Sequence, residues 1–167
     1  MQNQQIILIH GKNYKQMTKQ LLQAAGLADE IGSRDTPVAL KPNLVIGAPA
    51  SRGATTHPEL VAGVLEYLQE NGFRDLRVIE GSWVGSRTSE AVQTSGLLDV
   101  CRQYRVPFID LQKDASASYD AKGMQIKVCN EAMRPSFLIN MPVLKGHGQT
   151  LITCALKNAK GLIPNSE

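Results

Sequence analysis

Short apolar runs of strand length alternate along this chain with stretches of helical periodicity, and that alternation restricts its fold more than any other feature. Parallel strands need a crossover long enough to hold a helix, so a strand–helix–strand rhythm predicts a largely parallel sheet. Ile6 to His10 reads as the first strand, and Tyr14 to Ile31 as a helix with Leu21, Leu22, Ala25 and Leu27 facing inward. Pro37 to Asn43 gives a second strand, with Val38, Ala39 and Leu40 as its buried part. Residues 44–57, rich in Gly, Pro, Ser and Thr, form a loop. Pro58 suits the first helical position, where its missing N–H costs nothing. From there Leu60, Val61, Val64, Leu65 and Leu68 recur at helical spacing until Asn71-Gly72 ends the element.

The rhythm continues with a strand at Leu76 to Glu80, a helix in two pieces from Ser89 to Tyr104, and a strand at Pro107 to Leu111. Residues 112–131 depart from it. They alternate about Lys122-Gly123 and predict a β-hairpin. Phe137 to Leu144 resumes as a strand, and Thr150 to Gly161 reads as a last helix. Its expected core face is Leu151, Ile152, Ala155, Leu156 and Ala159, with Gly161 at the C′ position. The expected fold is one α/β domain over residues 1–167. It has a Rossmann-like, mostly parallel sheet, helices on both faces and a β-hairpin insertion near 112–131.

Charge separates the chain into two parts. Residues 132–166 hold Arg134, Lys145, Lys157 and Lys160 with no acidic residue, while residues 1–131 balance 14 basic against 14 acidic side chains. A net charge of +3 with only 5% aromatic residues argues against a nucleic-acid partner, which calls for a basic stripe interleaved with aromatics. No apolar run nears the ~18 residues that span a bilayer, and the N-terminus lacks the charged and apolar regions of a secretory signal. Cys101, Cys129 and Cys154 are odd in number and far apart, which disfavours a disulfide framework or a self-contained zinc or cluster site. The expected location is the cytoplasm, with no membrane partner.

In parallel α/β sheets ligands gather at the carboxyl ends of the strands. Those ends are Lys41-Pro42-Asn43, Gly81-Ser82, Asp110 and Lys145-Gly146-His147, joined by Thr55-Thr56-His57 ahead of a helix. Lys41, closing an apolar strand, must reach solvent, an anion or a buried partner. Turn and helix capping accounts for Asn43, Thr55 and Thr56 as readily as ligand binding does. His57 differs, because Pro58 holds it just outside the helix. Lys145 and His147 leave a strand together with Gly146 and Gly148 beside them, and they form the sharpest pair. Thr153, Lys157 and Lys160 fall on one face of the expected last helix, with Asn158 one turn beyond Cys154. A mixed metal set of His57, His147 and Cys154 or Asp110 is conceivable. Nearby lysines repel a cation, so no metal site is expected. Gly81-Ser82-x-x-Gly85 has neither the dinucleotide nor the Walker spacing. The residues therefore point to a small anionic partner, with Lys145, His147 and His57 as acid–base candidates and the rest as binding groups.

Several segments, in this order and spacing, resemble the family known as domain of unknown function 362 from about residue 37 to the end. They are Leu40-Lys-Pro-Asn-Leu44, Thr55-Thr-His-Pro58, Glu80-Gly-Ser82 with Gly85 and Thr88, and Ile109-Asp-Leu111, followed by Ile139-Asn-Met-Pro-Val-Leu-Lys145-x-His147 and Ala155-Leu-Lys-Asn-x-Lys-Gly161. The resemblance implies one site drawn from Lys41, Asn43, Thr56, His57, Ser82, Lys145, His147, Lys157, Asn158 and Lys160. Some family members carry a ferredoxin-like domain with two four-iron clusters. That implies an alternative role, a redox-associated module working with an iron–sulfur domain or partner. This chain has no Cys-x-x-Cys pair, so no cluster is expected within it and its cofactor is left open. The family domain usually runs further, so the chain is expected to be its amino-terminal part. Apolar surface left open there would be covered by a second copy or by a further segment.

Overall fold

The computed structural model describes residues 5–165. Chain order is α1 (Tyr14–Ala24), α2 (Leu27–Ile31), β1 (Val38–Lys41), α3 (Pro58–Glu70), β2 (Leu76–Glu80), α4 (Thr88–Thr94), α5 (Leu97–Gln103) and β3 (Phe108–Asp110). There follow β4 (Ser116–Ala121), β5 (Met124–Cys129), α6 (Asn130–Met133), β6 (Phe137–Asn140), β7 (Lys145–His147), β8 (Leu151–Thr153) and α7 (Ala155–Asn158). Short 3-10 turns lie at Ala50–Arg52, Leu111–Lys113 and Ala159–Leu162.

Four strands make the central sheet in the order β3-β2-β1-β6, and every pairing in it is parallel. Val38 lies opposite both Leu76 and Phe137, which aligns the strands so that Lys41 meets Asn140 and Glu80 meets Asp110 at their carboxyl ends. The chain lays β2 and β3 to one side of β1 and then returns to place β6 on the other. The point where a parallel sheet changes direction is where ligands usually bind, and here it lies between β1 and β6.

One face of the sheet carries the larger core. Val38, Leu40 and Val78 pack there against α1, α3 and α5 through Leu22, Val61, Leu65, Leu68, Leu97 and Cys101. Burying each such aliphatic side chain contributes about 1.5–3 kcal/mol. The opposite face is thinner. Ala39 and Ile79 meet Leu111, Cys129, Ala132 and Leu162, which come from 3-10 turns, the end of β5 and α6. Helical segments thus cover both faces, long on one and short on the other. β4 and β5 form the expected antiparallel hairpin as a separate two-stranded sheet, turning at Lys122-Gly123, both at positive φ. Pro58 opens α3 and Asn71 caps it, as the sequence signals predict.

Other expectations need correction. The stretch Tyr14 to Ile31 is two helices, broken at Gly26, whose left-handed φ of 61° ends the first and begins the second. Ile6 to His10 does not join the sheet: Ile6 and Leu8 are exposed and no strand pairs with them among the described residues. Apolar periodicity records a face but not the presence of a neighbour to cover it. The strand expected to run to Leu144 ends at Asn140, and the expected helix from Thr150 to Gly161 is replaced by three pieces. β7 and β8 form an antiparallel ladder that pairs Lys145 with Thr153, and only α7 and the 3-10 turn at Ala159–Leu162 remain helical. The expected core face is overturned with it, since Leu151, Ile152 and Leu156 are exposed at 85%, 57% and 94%. Gly161 lies inside the 3-10 turn rather than after a helix. No helix among the described residues is long and apolar enough to cross a membrane.

Candidate functional site

Burial leaves a lysine at the end of a strand with few options, and Lys41 takes the one of a buried partner. Its residue is 1% exposed and its Nζ lies 2.6 Å from Glu80 Oε1 across the β1–β2 pair. Glu80 also accepts the backbone N–H of Leu44 at 3.0 Å and of Gly81 at 2.8 Å. Burial pushes the Lys41 amine down and the Glu80 carboxyl up, and the attraction between them opposes both shifts. A buried pair of this kind is weak evidence of added stability, yet losing one member leaves an uncompensated charge and costs about 3–5 kcal/mol.

Asn158 closes the crevice between β1 and β6. Its Nδ2 donates to the carbonyls of Lys41 and Pro42 at 3.2 and 3.3 Å and to Asn140 Oδ1 at 2.7 Å. Its Oδ1 accepts from Lys41 Nζ at 3.4 Å. Gly161 packs onto the same group so tightly that a Cβ there would sit 2.5 Å from Glu80 Oε1 and 2.9 Å from Lys41 Nζ. The carboxy-terminal turns are therefore locked onto the strand ends by polar contacts.

Lys145 reaches this end of the sheet from β7. Its Nζ donates to Asn43 Oδ1 at 2.9 Å and to the Ala54 carbonyl. Burial holds its amine below the usual lysine range; Glu80 opposes that shift and Lys157 adds to it. Thr56 works as a tie, accepting the Asn43 N–H and donating to the Met141 carbonyl, both at 2.8 Å. Thr55 Oγ1 donates to the Ala48 carbonyl at 3.3 Å. Thr55 thus closes the 44–57 loop on itself, and Thr56 ties it to the backbone beyond β1 and β6.

Beside the buried pair lies a cavity of about 260 Å³ lined by Gly81, Ser82, Trp83, Val84, His147, Gln149, Lys157, Lys160, Gly161 and Asn165. A second, of about 60 Å³, lies over Lys41, Glu80 and Asn158, and Lys157 and Lys160 line that one too. Neither ammonium has an ion-pair partner among the described residues. Ser82 is 2% exposed, its backbone N–H donates to Thr88 Oγ1 at 2.9 Å, and its own hydroxyl has no partner among the described residues. The hydroxyl of Thr153, across the ladder from Lys145, is also buried without one. His147 Nδ1 accepts the backbone N–H groups of Gln149 and Thr150 at 3.1 and 3.2 Å. Its Nε2 is then the proton-bearing nitrogen of the neutral ring.

Two expected members stand apart. The ring of His57 packs on Tyr14, with centroids 4.5 Å apart, and its Nδ1 lies 3.8 Å from Glu59. Neither of these contacts involves Lys145 or His147. Asp110 is used locally, accepting from the Gln112 N–H at 3.0 Å. Cys154, the residue just before α7, is exposed, and no group of three His, Cys, Asp or Glu among the described residues could hold a metal. Three contributors escaped the sequence reading: Glu80, Trp83 and Gln112. Gln112 pins the loop after β2 by donating to the carbonyls of Ser82 and Ser86 at 3.1 and 2.9 Å. For Glu80 a signal existed, because a lysine sealed at one strand end calls for a carboxylate at the next.

Residues 38–167 match the family described as a domain of unknown function (DUF362). A thylakoid-associated protein of Synechocystis sp. is 29% identical over 127 residues, which is 76% of this chain and 39% of that protein. The chain thus spans about two fifths of the length of the curated relative it matches. No solved structure gives a significant match. The chain belongs to the DUF362 family.

Proposed function

We propose that this DUF362 domain binds a small anionic ligand at the carboxyl ends of its central strands, in the cavity beside the Lys41–Glu80 pair. One observation carries the reading: Lys157 and Lys160 line that cavity without ion-pair partners among the described residues, while Glu80, the buried acid next to them, is already matched by Lys41. The local charge balance is positive and awaits an anion. Each hydrogen bond to a charged group contributes about 1.5–3 kcal/mol, so two lysines and a histidine N–H can reach the ~4 kcal/mol of a millimolar complex.

In this reading Lys157 and Lys160 supply charge, His147 donates through Nε2, and Ser82 offers a hydroxyl. Lys41, Asn43, Thr55, Thr56 and Asn158 build the wall rather than touch the ligand. Lys145 and His147 lie two apart on β7 and so share a face. That placement makes Lys145 and His147 the acid–base candidates of this reading.

Calorimetric titration with inorganic phosphate at constant ionic strength tests the proposal. The wild type is expected to bind in the millimolar range or tighter, and the Lys157→Gln/Lys160→Gln double variant at least tenfold more weakly. Equal affinity for both proteins would reject the assignment.

A further inference from the structure

Trp83 is the only tryptophan of the chain, and it lines the same cavity as Ser82, His147, Lys157 and Lys160 while 59% exposed. An exposed indole on a loose loop would mean little. This one is held. Its backbone N–H donates to the Val45 carbonyl at 3.3 Å, and its carbonyl accepts the Ser86 N–H at 2.8 Å. Its ring lies on the backbone of Gly85, where an added Cβ would sit 2.1 Å from Cζ3 and 2.3 Å from Cη2. Only glycine leaves room for the indole there, so Gly85 serves as its seat.

From the juxtaposition of this seated indole with two lysines lacking ion-pair partners and the unpartnered buried hydroxyl of Ser82, we infer that the ligand is a single planar aromatic ring bearing a phosphate or carboxylate. The inference rests on the anion reading above and narrows it. The acid meets Lys157, Lys160, His147 and Ser82, and the ring lies along Trp83. Aromatic pairing favours such a ligand over an aliphatic anion of equal charge. Size limits it further, since about 260 Å³ falls just under the ~300–1,000 Å³ of pockets for drug-sized molecules, which leaves room for one ring.

Two matched pairs of probes, phenyl phosphate against methyl phosphate and benzoate against acetate, test this by calorimetry on the whole chain. In at least one pair the aromatic member is expected to bind about tenfold more tightly. It should also quench the fluorescence of Trp83. In Trp83→Ala, a change at an exposed position, the ratio of aromatic to aliphatic affinity should fall below about twofold. Gly85→Ala retains the indole but removes its seat, and should lower the preference as well. Equal binding of aromatic and aliphatic members overturns the ring inference and leaves the anion site standing. A preference that survives in Trp83→Ala also overturns it. Failure of all four probes to bind removes the anion site and this inference together.

Discussion

Helix α3 and the segment from β7 through α7 both carry large aliphatic side chains, yet they bury opposite kinds of residue. In α3 Val61, Leu65 and Leu68 are sealed against the sheet, and its charged side chains face outward. In the later segment Leu151, Ile152 and Leu156 face outward, while Thr153 and Asn158 are 3% and 4% exposed. The first region is held by apolar area. The second is held by directed polar contacts at the strand ends, chiefly those of Asn158, Lys145 and the Lys41–Glu80 pair. Hydrogen bonds fix position within tenths of an ångström, which apolar packing alone does less well, so the polar region is the one suited to recognising a ligand.

That contrast can be broken at its strongest points. Phe73, fully buried beside α3, should cost about 3–5 kcal/mol when changed to Ala, measured by urea denaturation. Leu156→Ala should stay within about 0.5 kcal/mol of the wild type. A large loss at Leu156 would mean that the carboxy-terminal turns do contribute an apolar core. For the polar region, Lys41→Met should cost about 3–5 kcal/mol because Glu80 is left buried and unmatched. Adding Glu80→Leu to Lys41→Met should recover much of that loss. A double variant no more stable than the single one would show that the strand ends need the charges themselves.

A smaller effect concerns pH and the outer side of α1 and α3. Glu66 accepts hydrogen bonds from Lys15, Lys19 and Tyr104, which hold its carboxyl at about 2 rather than its ordinary 4.5. Its folded value lies below its unfolded one, so the contribution is complete above about pH 4.5 and is lost as pH falls towards 2. Thermal unfolding across that window should show a shallower acid decline in Glu66→Gln. Parallel curves for the two proteins would contradict this.

Much of the sheet was legible in the sequence because strands and helices there obey simple periods. Leu76 to Glu80 and Pro58 to Glu70 carry their own start and stop signals. The placing of Lys41 and Asn43 at one edge was legible too, since parallel strands bring their carboxyl ends together, whereas Asn158 was implied only by the family resemblance. What sequence could not reveal was the internal pairing of that edge. In sequence alone Lys41 reads equally as a ligand group; its ion pair with Glu80 is a property of the folded edge. The β7–β8 ladder was hidden for a different reason: a helical spacing of Leu151, Ile152, Ala155 and Leu156 says nothing about whether a core lies beneath them. Leu151 even adopts a φ of 62°, a left-handed conformation that leucine rarely enters and no pattern would foretell. His57 looked poised over its loop, but an aromatic neighbour far earlier in the chain, Tyr14, claims its ring.

The most direct measurement is amide chemical-shift mapping during titration of isotopically labelled protein with inorganic phosphate. The account predicts that the perturbed amides cluster at Gly81, Ser82, His147, Lys157 and Lys160, with the β4–β5 hairpin silent. Perturbations confined to that hairpin or to α1, or none at saturating phosphate, would contradict it.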